Sequence, residues 1–152
     1  MSTDTTGTSR AERPAPQRPL PLFPEPDTEP WWRATAEHRL LYQVGASGRP
    51  VFYPRLVGPD ALEPGGEWRE SAGAGGVYSY TVLRRHGHPF FRSQLPYVVG
   101  FVDLDEGFRM LAQVDADPEA IRVGMRVRVG WEDHDGLSVP VFVPDEGRDS
   151  VP

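Results

Sequence analysis

A mainly-β protein closed into a small barrel is what this sequence predicts, on three observations. Short runs rich in β-branched and aromatic residues crowd its second half: Trp68–Ser71, Gly76–Arg84, Tyr97–Leu104, Phe108–Val114, Arg126–Asp133 and Val139–Val143. Such runs suit a pleated, half-buried surface. Several of them alternate. In Val77–Leu83, Val77, Ser79, Thr81 and Leu83 share one face, and Tyr78, Tyr80 and Val82 the other. In Arg126–Glu132 the valines and Trp131 point inward, with Arg126, Arg128 and Glu132 outward. Turn chemistry separates the runs. Asp105–Gly107 is a tight hairpin, and Asp117–Ile121 a short helical turn capped by Asp115 or Asp117, before Gly124 opens the next strand. Five or six strands with one small helical insertion fit a barrel of the OB type over residues 67–144, followed by a flexible tail at 145–152.

The residues ahead of the barrel have a different texture. Residues 1–26 are Thr, Ser, charge and prolines, with one small apolar cluster at Leu20, Leu22 and Phe23. They bury too little to offset ordering entropy and read as a disordered tail, a spacer or an adaptor ligand. Asp27 and Thr28 then offer an N-cap and Pro30 is tolerated in a first turn. No breaker follows until Gly45, so a helix over roughly residues 28–38 is expected within a helical arm at 27–42. Trp31 and Trp32 anchor it. Adjacent positions on a helix cannot face one core, so one of the two indoles is expected to pack outside the barrel, on a partner. Residues 43–66 form a loop-rich link.

Composition limits the function classes. The chain has no cysteine, so it can form neither a disulfide nor a thiolate metal site. No apolar run approaches the roughly 18 residues of a membrane span, and the first residues lack the basic-then-apolar layout of a secretory signal. The expected compartment is the cytoplasm, without membrane contact. Every basic side chain is Arg, a codon-bias signature before it is a chemical one. The net charge of −6 opposes binding to nucleic acid, whose phosphates supply most non-specific affinity.

From about Pro30 to Val143 the residues resemble the zinc-ribbon/OB-fold accessory proteins of acyl-CoA metabolism. The matching pieces, in order, are Trp31 and Trp32, Arg39–Leu41, Gly48 and Arg49 with Phe52–Arg55, Gly76–Val82, Leu95–Val99, Val102–Gly107 and Val123–Arg128. Relatives place one C-x-x-C knuckle just before the Gly-Arg and another after the Pro-Arg. Here those positions fall on Val44, Ser47, Gly58 and Ala61, none able to ligate zinc as a thiolate. The resemblance therefore implies a degenerate, metal-free zinc-ribbon remnant, held by Phe52, Tyr53, Leu56 and the prolines or by a partner's surface. It also implies a non-catalytic subunit of a hetero-oligomer, beside a thiolase-superfamily enzyme or a MaoC-like hydratase. No cofactor would be its own, and acyl-CoA would be contacted only within the complex.

Little in the residues looks catalytic. His86 and His88 could share a metal, but no third ligand lies nearby in sequence, and solvated loop histidines are the plainer reading. His38 and His134 read as surface residues too. Asp103, Asp105, Glu106, Glu132, Asp133 and Asp135 cluster at strand ends, where turn roles are expected. The loop Arg84–Arg92 is the better functional candidate. Arg84, Arg85 and Arg92 suit phosphate groups, and with His88, Phe90 and Phe91 they have the composition of an interface. Plugging of the barrel end by the two phenylalanines stays open as the alternative. Together with Trp31 and Trp32, these residues are the expected partner or acyl-CoA contacts. Two other functions compete: a stand-alone binding protein or enzyme using the barrel mouth, and a single-strand binder stacking bases on Tyr78, Tyr80 and Phe101.

Overall fold

The computed structural model describes residues 14–21, 25–59 and 66–147. An eight-residue helix, α1 (Glu29–Ala36), leads into β1 (Leu40–Val44) and β2 (Pro50–Val51). Then come β3 (Glu67–Ser71), β4 (Ala74–Leu83), a helical turn α2 (Pro89–Arg92), β5 (Tyr97–Leu104), β6 (Arg109–Val114), β7 (Arg126–His134) and β8 (Leu137–Pro144). β4-β5-β6-β8-β7 close into a barrel, with β6 and β8 parallel and the other pairs antiparallel. One parallel pair in an otherwise antiparallel five-stranded closure, after an insertion at 115–125, is OB topology. Val98, Val102, Val127 and Phe142 are fully buried at its centre.

The arm departs from expectation. α1 stops at Ala36 although no glycine ends it. His38 adopts φ 58°, its N–H reaching the Thr35 carbonyl while the Arg39 N–H reaches that of Ala34. That is a Schellman stop built on a non-glycine residue. The left-handed conformation is held from outside: His38 Nε2 lies 2.6 Å from Asp133 Oδ1, and its ring stacks on Trp131. The chain then turns straight into β1, where a helical arm to residue 42 was expected.

β1 is buried at every position and pairs with β2 on one side and β3 on the other. A strand covered on both faces shows no alternation, so Leu40–Val44 carried no strand signature. Trp68–Ser71 joins this small sheet and not the barrel, which explains why only five of the expected runs close. The faces of β4 are also corrected. A bulge at Tyr78 puts Val77 opposite Val102 and Ser79 opposite Phe101. Val77 and Val82 consequently both pack on the core, although strict alternation assigned them to opposite faces.

The hook between β1 and β3 is tied down by a side chain the sequence reading passed over. Gln43, 4% exposed, donates Nε2 to the Arg55 carbonyl at 3.0 Å and accepts the Arg55 N–H on Oε1 at 2.8 Å. The amide takes the place of a ladder partner. Of the residues expected to hold the hook, Phe52 packs between Trp31 and Phe108. Tyr53 and Leu56 stay largely exposed. Residues 60–65, with Ala61 among them, lie outside the described residues, as do 1–13, 22–24 with Leu22 and Phe23, and 148–152. Part of the tail expected to be unstructured, residues 14–21, is described and anchored through Arg18.

Two substitutions test these ties. Gln43→Ala leaves a main-chain N–H and C=O without partners and should lower stability by about 1–3 kcal/mol. Thr35→Val removes the hydroxyl that accepts the Ser138 N–H at 3.1 Å and should cost a similar ~1–3 kcal/mol. Urea unfolding followed by tryptophan fluorescence reads both, and midpoints equal to wild type would contradict the assignments.

Candidate functional site

The expected contact residues fall into two groups on either side of one buried arginine. The first is the arm. Trp31 is buried and donates Nε1–H to the Leu41 carbonyl at 2.9 Å. Trp32 meets it edge to face, with ring centroids 4.6 Å apart, and is half-buried against the same core. Both indoles therefore pack on one core, although adjacent helical positions were expected to diverge, because Trp32 lies edge-on against Trp31. Trp32 lines an open apolar cavity of about 380 Å³ between α1, the hook and the β6/β8 side of the barrel.

The second group is the 84–92 loop at the barrel end. Its histidines act as local acceptors: His86 Nδ1 takes the His88 N–H and His88 Nδ1 takes the Phe90 N–H, which starts α2. Among the described residues no group of three or more His, Cys, Asp or Glu could hold a metal ion. Arg92 turns back onto the loop, donating to the Gly87 and His86 carbonyls, and Arg84 faces Glu119 at 3.6 Å. Arg85 is exposed. Phe90 and Phe91 are neither a full plug nor a free surface. Both are half-buried, and Phe91 packs on Tyr97 beside a barrel-end cavity of about 460 Å³.

Arg18 bridges the groups, and the sequence reading missed it. Its guanidinium lies 5.1 Å from the Phe90 ring centre and 5.3 Å from that of Phe91. Nε and Nη2 donate to the two Glu132 carboxylate oxygens at 2.9 and 2.8 Å, and Nη2 also reaches Gln113 Oε1 at 3.1 Å. Its side chain is 10% exposed. Nothing in a proline-rich stretch marks an arginine for burial, because every partner lies far away in sequence, the carboxylate 114 residues on.

The acidic residues expected in solvated turns are mostly paired. Arg126 grips Asp105 through both terminal nitrogens, and Arg109 grips Asp103 while lying over the Tyr78 ring. Glu106 accepts from Ser71 Oγ and the Ala72 N–H, fastening the β5–β6 hairpin to the end of β3. His134, expected at the surface, is half-buried and bonded to Glu132 at 2.9 Å. Burial pushes the Glu132 carboxyl up, but Arg18, with His134 adding to it, holds it below the usual range. Arg109 lowers Asp103, and His38 followed by Ser138 lowers Asp133.

Comparison with known proteins places this arrangement. Residues 68–132 match the family described as the ChsH2 C-terminal OB-fold domain. Over 104 residues the chain is 34% identical to a DUF35 domain-containing scaffold protein of Methanothermobacter thermautotrophicus, spanning 66% of this chain and 71% of that one. The chain belongs to the DUF35 family. It is also 37% identical over 137 residues to a probable enoyl-CoA hydratase alpha subunit of Thermomonospora curvata, which covers 84% of this chain and 42% of the subunit. This DUF35 chain thus spans about two-fifths of that longer relative. Among solved structures it superposes on a chain of an Ltp2-ChsH2(DUF35) aldolase with a TM-score of 0.72 and 33% identity, covering 84% of this chain and 98% of that one.

Three of the four positions at which the resemblance places cysteines lie among the described residues of this DUF35 protein. Val44 is buried as the last residue of β1, Ser47 is exposed in the following turn, and Gly58 is half-buried. No helix of the described residues is long and apolar enough to cross a membrane.

The depressed carboxylates set an acid limit. In the unfolded chain each would titrate near its ordinary value of about 4, so between that value and the lower folded one the unfolded state binds more protons. Their stabilisation is complete above ~pH 5 and is lost as pH falls through the folded values. Arg18→Met removes the principal partner of Glu132 and leaves its burial, so the Glu132 titration midpoint should move up. Carbon-13 carboxyl NMR reads the shift, and an unchanged midpoint would show that Arg18 does not hold this carboxylate.

Proposed function

We propose that this chain is a non-catalytic accessory subunit that docks on a thiolase-superfamily enzyme and helps hold its acyl-CoA or acyl substrate, the chemistry belonging to the partner. The observation that carries the proposal is the match to nearly the whole of the DUF35 chain in an aldolase assembly. The scaffold naming of the archaeal relative points the same way. A MaoC-like hydratase is the alternative partner, favoured by the hydratase naming of the longer relative.

The surfaces supporting docking are the exposed face of Trp32 with Tyr53 on the hook, and the Arg85/Phe90/Phe91 corner with Arg84, His88 and Arg92 around it. Aromatics beside arginine, partly buried before any partner arrives, lose little side-chain entropy on association. Arg84 and Arg92 are engaged within the chain, which leaves Arg85 as the arginine best placed to meet a CoA phosphate.

A tagged chain recovered from its native cell tests the reading. The expected result is a thiolase-fold protein at near-equal amount, active on an acyl-CoA only as the pair. Phe90→Asp with Arg85→Glu should reduce recovery of that protein at least tenfold, a loss of about 1.4 kcal/mol or more in binding. A hydratase in its place selects the alternative partner. A monodisperse chain with no companion removes the subunit reading.

A further inference from the structure

The cavity of about 380 Å³ between α1, the hook and the barrel is walled by Trp31, Trp32 and Phe52 on one side and Met110, Leu111 and Ala112 on the other. Apolar surface dominates this lining, and Arg18 is its sole charged side chain among the described residues. The volume lies within the range that encloses small organic ligands, toward its lower end. Thr28 and Gln113 add neutral polar groups to the wall.

Arg18 determines which ligand chemistry fits. Its Nε and Nη2 are committed to Glu132 and Gln113, whereas Nη1 donates no hydrogen bond among the described residues. No buried side-chain nitrogen or oxygen lacks a partner among the described residues, so the free Nη1 amino group is in contact with open space and not sealed in protein. The guanidinium charge is already balanced by the Glu132 carboxylate. An added anion would enter next to that carboxylate and find no net positive charge to compensate its loss of water. A neutral carbonyl oxygen carries no such penalty and can accept from Nη1.

We propose that this cavity is a binding site, complete within the isolated chain, for an elongated, uncharged apolar molecule bearing a carbonyl oxygen, with the apolar body between Trp31/Trp32 and Leu111/Ala112 and the carbonyl on Arg18 Nη1. The site deepens the acyl-holding half of the proposed function, yet its test needs no partner, so failure of either reading is distinguishable from failure of the other.

The chain supplies its own reporters. Of its four tryptophans, Trp31 and Trp32 line this cavity, Trp131 lines the barrel-end cavity and Trp68 lies on β3. The nitrogen-15 indole resonances of the isolated full chain are followed during titration with 2-octanone, 1-octene and octanoate. Saturable shifts of Trp31 and Trp32, with Trp68 and Trp131 unmoved, are expected for the ketone, at roughly tenfold higher affinity than for the alkene or the anion. Arg18→Met should abolish the preference for the ketone over the alkene while leaving both bound. Ala112→Phe should fill the cavity and eliminate binding, with unchanged Trp68 and Trp131 resonances reporting an intact fold. If that variant fails to fold, the Arg18→Met comparison decides. No saturable shift, shifts centred on Trp68 or Trp131, or equal affinity for ketone and alkene in the wild type would overturn the proposal.

Discussion

Thr35, fully buried on α1, accepts the Ser138 N–H of β8 at 3.1 Å and donates its hydroxyl to the Trp32 carbonyl at 2.7 Å. Because the side chain is satisfied in both directions, the helix can lie flat on a strand without leaving a buried polar group unpaired. The rest of the N-terminal half follows from this seat. With α1 fixed on β8, its C-terminus lies close enough to β7 for His38 to reach Asp133 and stack on Trp131. The reversal at His38 then starts β1, and β1 templates β2 and β3 into the small sheet.

The same seat creates the space at the centre of the functional reading. α1 touches β8 through Thr35, while the hook is drawn in by Gln43 and Phe52, so neither fills the ground over Met110–Ala112. Arg18 closes one end of that ground and simultaneously caps the Phe90/Phe91 corner. One guanidinium therefore couples the arm cavity, the 84–92 loop and a half-buried carboxylate. A fully buried ion pair contributes little net stability unless its remaining groups are bonded. Here Gln113 and His134 supply those bonds, and the pair ties residue 18 of the proline-rich segment to the barrel.

Loss of the cysteines did not leave the hook without a staple. A structural zinc would have joined its two ends through four bonds. In this chain a single buried amide joins β1 to residue 55 through two hydrogen bonds, with an aromatic contact from Phe52 to the core beneath. These bonds are individually weak, and the burial of Gln43, 4% exposed, shields them from competing water.

Strand runs at Gly76–Arg84, Tyr97–Leu104, Phe108–Val114 and Arg126–Asp133 were legible because each has one face in a core and one in water, and that asymmetry is written residue by residue. The Asp105–Gly107 hairpin and the turn at Asp117 were legible for a similar local reason: their geometry depends on neighbours in sequence. The order and spacing of the matching pieces carried the resemblance, and the absence of cysteine excluded a thiolate zinc site outright. Other features depended on distant partners. Leu40–Val44 is a strand because α1 covers one face and Phe108 the other. His38 ends a helix because Asp133 and Trp131 hold it in a conformation it would not choose alone, and the bulge at Tyr78 exists to fit β5. Arg18 is buried because a carboxylate more than a hundred residues away is waiting for it. Pattern and composition thus determined the barrel, the family and the exclusion of a thiolate zinc site, since those are properties of the chain taken locally. The arm's direction, the cavity and its arginine were decided by the tertiary structure, because each is a contact between segments whose sequences carry no record of one another.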